Sequence, residues 1–156
     1  MTNTQQQDQG QGQGQGDSLR YVRGLAKLHE IDGEGGVKVV ESLAGIAPDF
    51  GRLVIEFPFG DIYSRPGLDL RSREIATVAA LTAMGNAAPQ LKVHIHAALN
   101  VGVTRDEVVE VMMQMAVYAG FPAALNGLFA AREVFAAEDE KSAQPLAEPR
   151  ALVEAI

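Results

Sequence analysis

The sequence contains no cysteine among its 156 residues. A disulfide, a thiolate nucleophile and a cysteine-ligated metal or iron–sulfur site are therefore excluded, and with them any redox chemistry based on thiols. Basic residues are scarce as well, since 13 Lys and Arg stand against 20 Asp and Glu, for a formal net charge of −7. Proteins that bind nucleic acids usually concentrate Lys and Arg on one face, so a DNA or RNA partner is not expected.

The sequence also lacks long apolar runs. Nowhere do about 18 consecutive apolar residues occur, which is the length that a membrane span requires. The first residues do not combine a charged region with an apolar one, as a signal peptide would. We therefore expect no membrane contact and predict a cytoplasmic location.

What is present divides the chain into three parts. Residues 1–16 form a Gln/Gly repeat with almost no apolar surface to bury, which predicts a disordered tail. Residues 17–137 carry the apolar positions of one domain. Residues 138–156 form a charged, proline-interrupted tail that is either loose or an arm laid on a neighbouring subunit. The apolar stretches of the domain follow helical spacing and show no strand alternation, so the predicted fold is all-α with about six helices.

Caps and turn residues set the predicted boundaries in the first half of the domain. Asp17 or Ser18 caps a first helix, which the glycines after residue 32 end. A second helix is predicted at about residues 37–45, and a third segment, PDFGRLVIEF, is predicted to stop near Pro58. The aromatic-rich connection FPFGDIYSRPGLD follows, and we expect it to be a packed loop.

Three consecutive helices between about residues 70 and 122 hold the most informative side chains. They read LRSREIATVAALTAMG, PQLKVHIHAALNVG and TRDEVVEVMMQMAVYAG, and each is predicted to end at its glycine. The third begins with a capping box formed by Thr104 and Glu107. A last helix of small residues is predicted at about residues 123–136.

Glu74 projects to the apolar side of the first of these helices, between Leu81 and Val78. A carboxylate in that position needs a partner or a proton. One interpretation is a structural salt bridge, for example with Arg71. The other is an acid/base group or a group that orients a substrate.

His94 lies at the edge of the inward face of the second helix, whereas His96 projects to the far side. Two histidines spaced in this way do not chelate one metal ion, so a metal site is not expected. His94 is either a satisfied core residue or a group for proton transfer, a reaction that imidazole suits near neutral pH. Tyr118, on the third helix, flanks an apolar face, and we expect a buried phenol with a hydrogen-bond partner and a structural role.

At these helices the sequence resembles a known family. The phrases FGDIYSRPGLDLRSREIATVAALTAMG and LKVHIHAALNVGVTRDEVVEVMMQMAVYAGFPAA are similar to the carboxymuconolactone decarboxylase family, and the resemblance covers approximately residues 21–135. The superfamily also contains alkyl-hydroperoxidase-like enzymes, whose CxxC motif is followed after three residues by His. Aligned on that motif, the cysteine positions fall on Ala87 and Gln90 and the histidine on His94, with Glu74 near the upstream glutamate. Thiol peroxidase activity is therefore not implied, and the cysteine-free decarboxylase branch is the better match.

The resemblance implies an all-helical subunit of alkyl-hydroperoxidase-like fold that assembles into a trimer or hexamer, with active sites near subunit contacts. It also implies loss of CO2 from 4-carboxymuconolactone, giving 3-oxoadipate enol-lactone in the protocatechuate route of aromatic breakdown, without a metal or organic cofactor. His94 is then the general acid, and Glu74 orients or charges it. Because this substrate is a dianion, Arg65 and Arg71 are candidates for binding it, and Tyr118 is a weaker candidate.

Two alternatives to this function remain open from the sequence. One is an oligomeric binding protein that has kept the helices without the chemistry. The other is a related lyase or isomerase that acts on another small carboxylic acid. The segment LAKLHEIDGEGG, which follows Gly24, is less basic than its counterpart in decarboxylase members, and this departure bears on the substrate more than on the fold.

Overall fold

The structure, a computed structural model, describes residues 17–143. The predicted tail of residues 1–16 and most of the predicted C-terminal tail, residues 144–156, lie outside this range. Within it, the prediction of an all-α fold is confirmed, with seven α-helices and one π-helical segment in place of about six helices. In chain order these are α1 (Leu19–Asp32), α2 (Glu34–Glu41), α3 (Pro48–Val54), the π-helical segment (Ile55–Tyr63), α4 (Leu70–Met84), α5 (Ala88–Asn100), α6 (Arg105–Ala119) and α7 (Phe121–Ala143). No helix in residues 17–143 has the length and apolar character needed to cross a membrane.

Capping contacts confirm several of the predicted helix ends. The side chains of Ser18 and Asp69 accept backbone N–H groups at the starts of α1 and α4. Thr104 and Glu107 form the predicted capping box at the start of α6. Gly85 ends α4 with a left-handed backbone, at a φ of 71°, which glycine adopts without a steric penalty.

The prediction of a loop over FPFGDIYSRPGLD is wrong for residues 57–63 and confirmed for residues 64–69. Residues 55–63 continue α3 as the π-helical segment, and Pro58 lies inside it. In a regular α-helix the proline ring collides with the carbonyl group four residues earlier and lacks the N–H that would bond to it. A wider π turn changes this spacing, so the chain continues as a helix through a residue that would normally end one. The segment buries Phe59 and Gly60.

Two further boundaries differ from the prediction. Helix α2 spans Glu34–Glu41, whereas about residues 37–45 were predicted. It starts earlier because Gly33 alone separates it from α1. The last helix continues to Ala143, so the first residues of the predicted charged tail are helical. Within this stretch Lys141 forms an ion pair with Glu138, one helical turn away, at 2.6 Å. A charged sequence of this kind has no apolar periodicity from which a helix would be predicted.

Helix α1 lies in direct contact with the π-helical segment because a glycine of each faces the backbone of the other element. A Cβ atom on Gly24 would lie 2.3 Å from the carbonyl oxygen of Ile55, and one on Gly60 would lie 2.7 Å from the carbonyl oxygen of Arg20. Backbone atoms cannot rotate away as the end of a side chain can. The two glycines therefore set how closely α1 and the segment approach each other.

Helix α5 lies between two clusters of buried apolar side chains. Its residues Leu91, Ile95 and Ala98 join a cluster with α4, α6 and α7. On another face, Ala97 joins a cluster with α1 and the π-helical segment. Because both of these faces are covered, the polar side chains of α5 lie along the edges between them.

We expect Gly24→Ala to lower the free energy of unfolding by about 1–3 kcal/mol, the usual cost of overpacking, because the new methyl group would meet the backbone of Ile55. Urea denaturation of the two proteins measures this difference. Gly67→Ala is the matched control, since a Cβ there would meet nothing within 4 Å. The control should change the free energy of unfolding by less than about 0.5 kcal/mol. Equal stability of the two variants would contradict the close contact.

Candidate active site

A hydrogen bond between Glu74 and His94 joins α4 to α5. The Glu74 side chain is 0 % exposed, and its Oε2 atom lies 2.9 Å from Nδ1 of His94, whose side chain is 25 % exposed. The structure thus brings together the two residues that the sequence singled out. The interpretation of Glu74 as a salt-bridge partner of Arg71 is wrong, because Arg71 pairs with Glu107.

The position of each residue follows from its helix. Glu74 is buried together with Val78 and Thr82, which lie one and two turns further along the same face of α4. His94 lies on α5 between the two covered faces, so one edge of its ring meets α4 and the other remains accessible.

The direction of this hydrogen bond fixes the roles of the two imidazole nitrogens. An ionised carboxylate only accepts hydrogen bonds, so Nδ1 of His94 donates to Glu74. This assigns the proton-carrying nitrogen from the hydrogen-bond network. Nε2, on the opposite side of the ring, has no partner among residues 17–143. It is the atom of the pair that can exchange a proton with a ligand.

The second carboxylate oxygen of Glu74, Oε1, is buried without a hydrogen-bond partner within residues 17–143. Buried polar atoms in folded proteins nearly always have a partner, and an unpaired one is costly. Oε1 can therefore accept a hydrogen bond that no residue of the described chain donates.

Tyr63 and Thr77 extend the site, and the sequence analysis did not identify either of them. The Tyr63 hydroxyl lies 2.8 Å from Oγ1 of Thr77, which donates its own hydrogen to the carbonyl oxygen of Arg73. Since threonine has one hydroxyl hydrogen, Tyr63 is the donor in its contact with Thr77. Burial, and then the negative charge of Glu74, raise the pKa of the Tyr63 phenol well above its ordinary value.

One signal for Thr77 was present in the sequence. It lies three residues after Glu74 and thus on the same side of α4. Tyr63 had no such signal, because the residues around it were predicted to be a loop.

A cavity of about 610 Å³ opens beside His94. Its wall is mostly apolar, and the polar side chains in it are Asp32, Tyr63, Thr77, Gln90 and His94. No Lys or Arg among the described residues contributes to this wall. The cavity therefore offers a ligand an apolar surface, a histidine at one position and a carboxylate at another.

A second histidine–carboxylate contact lies on the other side of α5. Nδ1 of His96 is 2.8 Å from Oδ1 of Asp32, and its Nε2 is 3.4 Å from Oε1 of Glu138. His96 thus links α5 to both α1 and α7. As predicted, His94 and His96 point apart. Across residues 17–143, no group of three or more His, Asp or Glu side chains is arranged to hold a metal ion.

The three other residues predicted to bind substrate do not line this cavity. Arg71 is engaged by Glu107, and Arg65 is exposed in the turn before α4. Tyr118 is 77 % exposed, so the prediction of a buried phenol is wrong for the single chain. The physical reason is that α6 turns Met112 and Val108 towards the core, which leaves the side of the helix that carries Tyr118 open.

Known proteins resemble the chain over the region that contains this site. A sequence model described as the carboxymuconolactone decarboxylase family matches residues 48–133, which include Glu74 and His94 but not Asp32. A protein of Acinetobacter baylyi named 4-carboxymuconolactone decarboxylase is 38% identical over 120 residues, which are 76% of this chain and 89% of that protein. A nitrosuccinic acid decarboxylase of Metarhizium robertsii is 32% identical over 97 residues, 60% of this chain and 67% of that protein. An uncharacterised 15.0 kDa protein of Paracoccus denitrificans is 34% identical over 103 residues, with 65% and 77% coverage.

We expect the Tyr63 phenol to ionise only at a pH well above about 10, the value for free tyrosine. The folded state favours the un-ionised form, so the contribution of Tyr63 to stability is complete below about pH 10 and is lost as the pH rises further. Ultraviolet titrations of the wild type and of Tyr63→Phe measure this, because the difference between the two curves reports Tyr63 alone. A difference that is already complete near pH 10 would contradict the buried position of the phenol.

Proposed function

The chain belongs to the carboxymuconolactone decarboxylase family and is a carboxy-lyase, and we propose that it removes CO2 from a carboxylated lactone. The proposed substrate is 4-carboxymuconolactone and the proposed product is 3-oxoadipate enol-lactone, in the breakdown of aromatic acids by the protocatechuate route. The observation that carries the proposal is the Glu74–His94 pair at the wall of the cavity. The name of the Acinetobacter relative supports the choice of substrate.

The proposed reaction requires one proton for each CO2 released. The bond between the carboxylate carbon and the lactone carbon breaks, and its electron pair moves into the conjugated lactone, whose carbonyl oxygen becomes an oxyanion. Nε2 of a protonated His94 then donates its proton to carbon, which completes the product. The imidazole regains a proton from solvent after the product leaves, so the histidine is unchanged over the cycle.

Glu74 is proposed to prepare His94 for this step. Its carboxylate accepts from Nδ1, which fixes the ring orientation and directs Nε2 away from α4. Its negative charge stabilises the imidazolium form that donates the proton. Because Glu74 is fully buried, water reaches this interaction only from the side of His94, which is 25 % exposed.

Tyr63 is the proposed hydrogen-bond donor for the developing oxyanion. Tyr63 lines the cavity, and its hydroxyl hydrogen points to Thr77. Rotation of that hydrogen towards the substrate would place a neutral donor at the oxyanion. Its raised pKa keeps the phenol protonated over the whole neutral range, as a donor must be.

We expect His94→Ala to lower kcat for decarboxylation of 4-carboxymuconolactone by about 100-fold to 10,000-fold, the usual contribution of a positioned general acid. Release of CO2 and formation of the enol-lactone are measured together on purified protein. Glu74→Gln should lower kcat as well, since the neutral amide orients the ring without stabilising its charge. His29→Ala, at an exposed position on α1, is the matched control and should retain full activity.

Each negative outcome of this experiment has its own meaning. Absence of turnover in the wild type at high enzyme concentration would overturn the choice of substrate. Turnover that is unchanged in His94→Ala would overturn the role of general acid while leaving the reaction in place.

The proposed enzyme is a homo-oligomer, a trimer or hexamer, as the family resemblance implies. Large apolar side chains are exposed where α6 ends and α7 begins, among them Val117 at 78 % and Phe121 at 74 % exposure. On α7, Leu125 and Phe129 continue the stripe at four-residue intervals. An exposed apolar surface of this kind on a water-soluble chain is typical of a contact with another protein. Tyr118 lies beside it, so the proposed subunit contact would cover the phenol.

We expect light scattering to show an oligomer for the wild type and a monomer for the double variant Val117→Glu/Phe121→Glu. Two new charges would have to be buried without partners in the proposed contact, which is strongly unfavourable. The double variant Ala26→Glu/Ala137→Glu adds the same charge at exposed positions elsewhere and should keep the size of the wild type. A monomeric wild type would contradict the assembly.

A further inference from the structure

The cavity beside His94 is larger than the proposed substrate. Its volume is about 610 Å³. 4-Carboxymuconolactone has thirteen non-hydrogen atoms, and the same number of water molecules would fill about 390 Å³ of the liquid. Atoms joined by covalent bonds lie closer together than waters do, so the lactone needs less space than this. Roughly a third of the cavity or more therefore remains for another part of a ligand.

The polar side chains of the cavity wall come mainly from one part of the fold. They are Thr77 on α4, Gln90 and His94 on α5, and Tyr63 at the end of the π-helical segment. The exception is Asp32 at the end of α1, whose Oδ1 atom is 2.8 Å from Nδ1 of His96 on α5. The groups that can bind or protonate the reacting part of a ligand are therefore contributed chiefly by α4, α5 and the end of the π-helical segment.

Helices α2 and α3 contribute no polar side chain to the wall. The large apolar side chains that α1, α2 and α3 contribute are Leu28, Ile31, Val39, Val40, Phe50 and Val54. Helices α2 and α3 pack mainly against α1, the π-helical segment and each other. This apolar part of the wall therefore belongs to elements other than α4 and α5, which carry the Glu74–His94 pair.

Two of these apolar side chains are open to water in the single chain. Val39 is 45 % exposed and Phe50 is 58 % exposed. Removing apolar surface from water is favourable in proportion to the area that is covered. A ligand that places carbon against this wall therefore gains affinity, whereas a small polar ligand leaves the wall in contact with water.

We propose that the cavity binds carboxylated lactones that bear an alkyl or aryl substituent, with the lactone at His94 and the substituent along the wall formed by α1, α2 and α3. The lactone part rests on the proposed function, and the substituent is what the size and the apolar wall of the cavity add to it. 4-Carboxymuconolactone is then a small member of the ligand class, and lactones with an apolar substituent bind more tightly.

Saturated lactone acids with side chains of increasing length test the proposal. The probes are 5-oxooxolane-3-carboxylates that carry a methyl, propyl or pentyl group on the ring carbon next to the carboxylate-bearing one. They do not lose CO2, because no carbonyl group is conjugated to the carbon that carries the carboxylate. We expect calorimetric titration of the full chain to show an affinity that rises about threefold to fourfold for each added methylene, as burial of a CH2 group predicts. The pentyl acid should thus bind about 100-fold more tightly than the methyl acid.

Phe50→Gln makes the apolar wall polar without adding a charge. It should weaken the pentyl acid by about fivefold or more and change the affinity of the methyl acid by less than about twofold. Phe57→Gln is the matched control, because Phe57 is 56 % exposed and is not part of the cavity wall. This control should keep the wild-type affinities for all three acids.

Equal binding of the three acids, binding of none of them, or a dependence on chain length that Phe50→Gln leaves unchanged would overturn the proposal. An equal loss of affinity in Phe57→Gln would overturn it as well. Because the acids do not react, their affinities are measured whether or not the wild type turns over 4-carboxymuconolactone. Failure of the proposed function is thus seen as absence of CO2 release, whereas failure of the present proposal is seen in the affinities alone.

Discussion

The burial of the Glu74 carboxylate is the constraint on which the site depends. A charged group that is fully removed from water is tolerated only where hydrogen bonds and opposite charge compensate for the lost hydration. The ring of His94 supplies part of this compensation, and it does so only while α4 and α5 keep their spacing and rotation. The apolar cluster around Val78 and Ile95 holds the two helices in that relation. Burial raises the pKa of the Tyr63 phenol, and the charge of the same carboxylate raises it further.

The π-helical segment forms part of the wall of the cavity next to this pair. Gly24 and Gly60 let α1 lie directly against the segment, so the backbone there is fixed by contacts that contain no flexible side chain. The segment places Phe59 and Tyr63 on the cavity side, and α2 and α3 cover the cavity with Val40 and Val54. Helix α5 forms the floor and is buried on two faces. His94 therefore lies on a helix that is buried on two faces, and the shorter elements α2 and α3 and the π-helical segment contribute to the rest of the cavity wall.

The sequence predicted the features that follow from local spacing, and it missed those that follow from long-range contact. Glu74 was found because a carboxylate on an apolar face breaks the helical pattern, and the capping box of Thr104 and Glu107 was found because capping depends on a few adjacent residues. The helix through Pro58 was missed, since proline normally ends a helix and only contacts with α1 show otherwise. Asp32 and His96 are 64 residues apart, and no periodicity connects them. Tyr118 was misplaced by a small error in the rotation of α6, because a shift of one residue on a helix turns a side chain through more than a quarter of a turn.

The two histidine–carboxylate contacts of α5 differ in which of the two groups lines the cavity. In the first, the carboxylate is fully buried behind the imidazole, so a ligand meets the ring nitrogen. In the second, the order is reversed: Asp32 faces the cavity, and His96 lies behind it with Glu138. An imidazole in front offers a proton, whereas a carboxylate in front offers an acceptor and repels negative charge. Two residues of spacing on one helix thus suffice to direct one histidine–carboxylate contact to α4 and the other to α1.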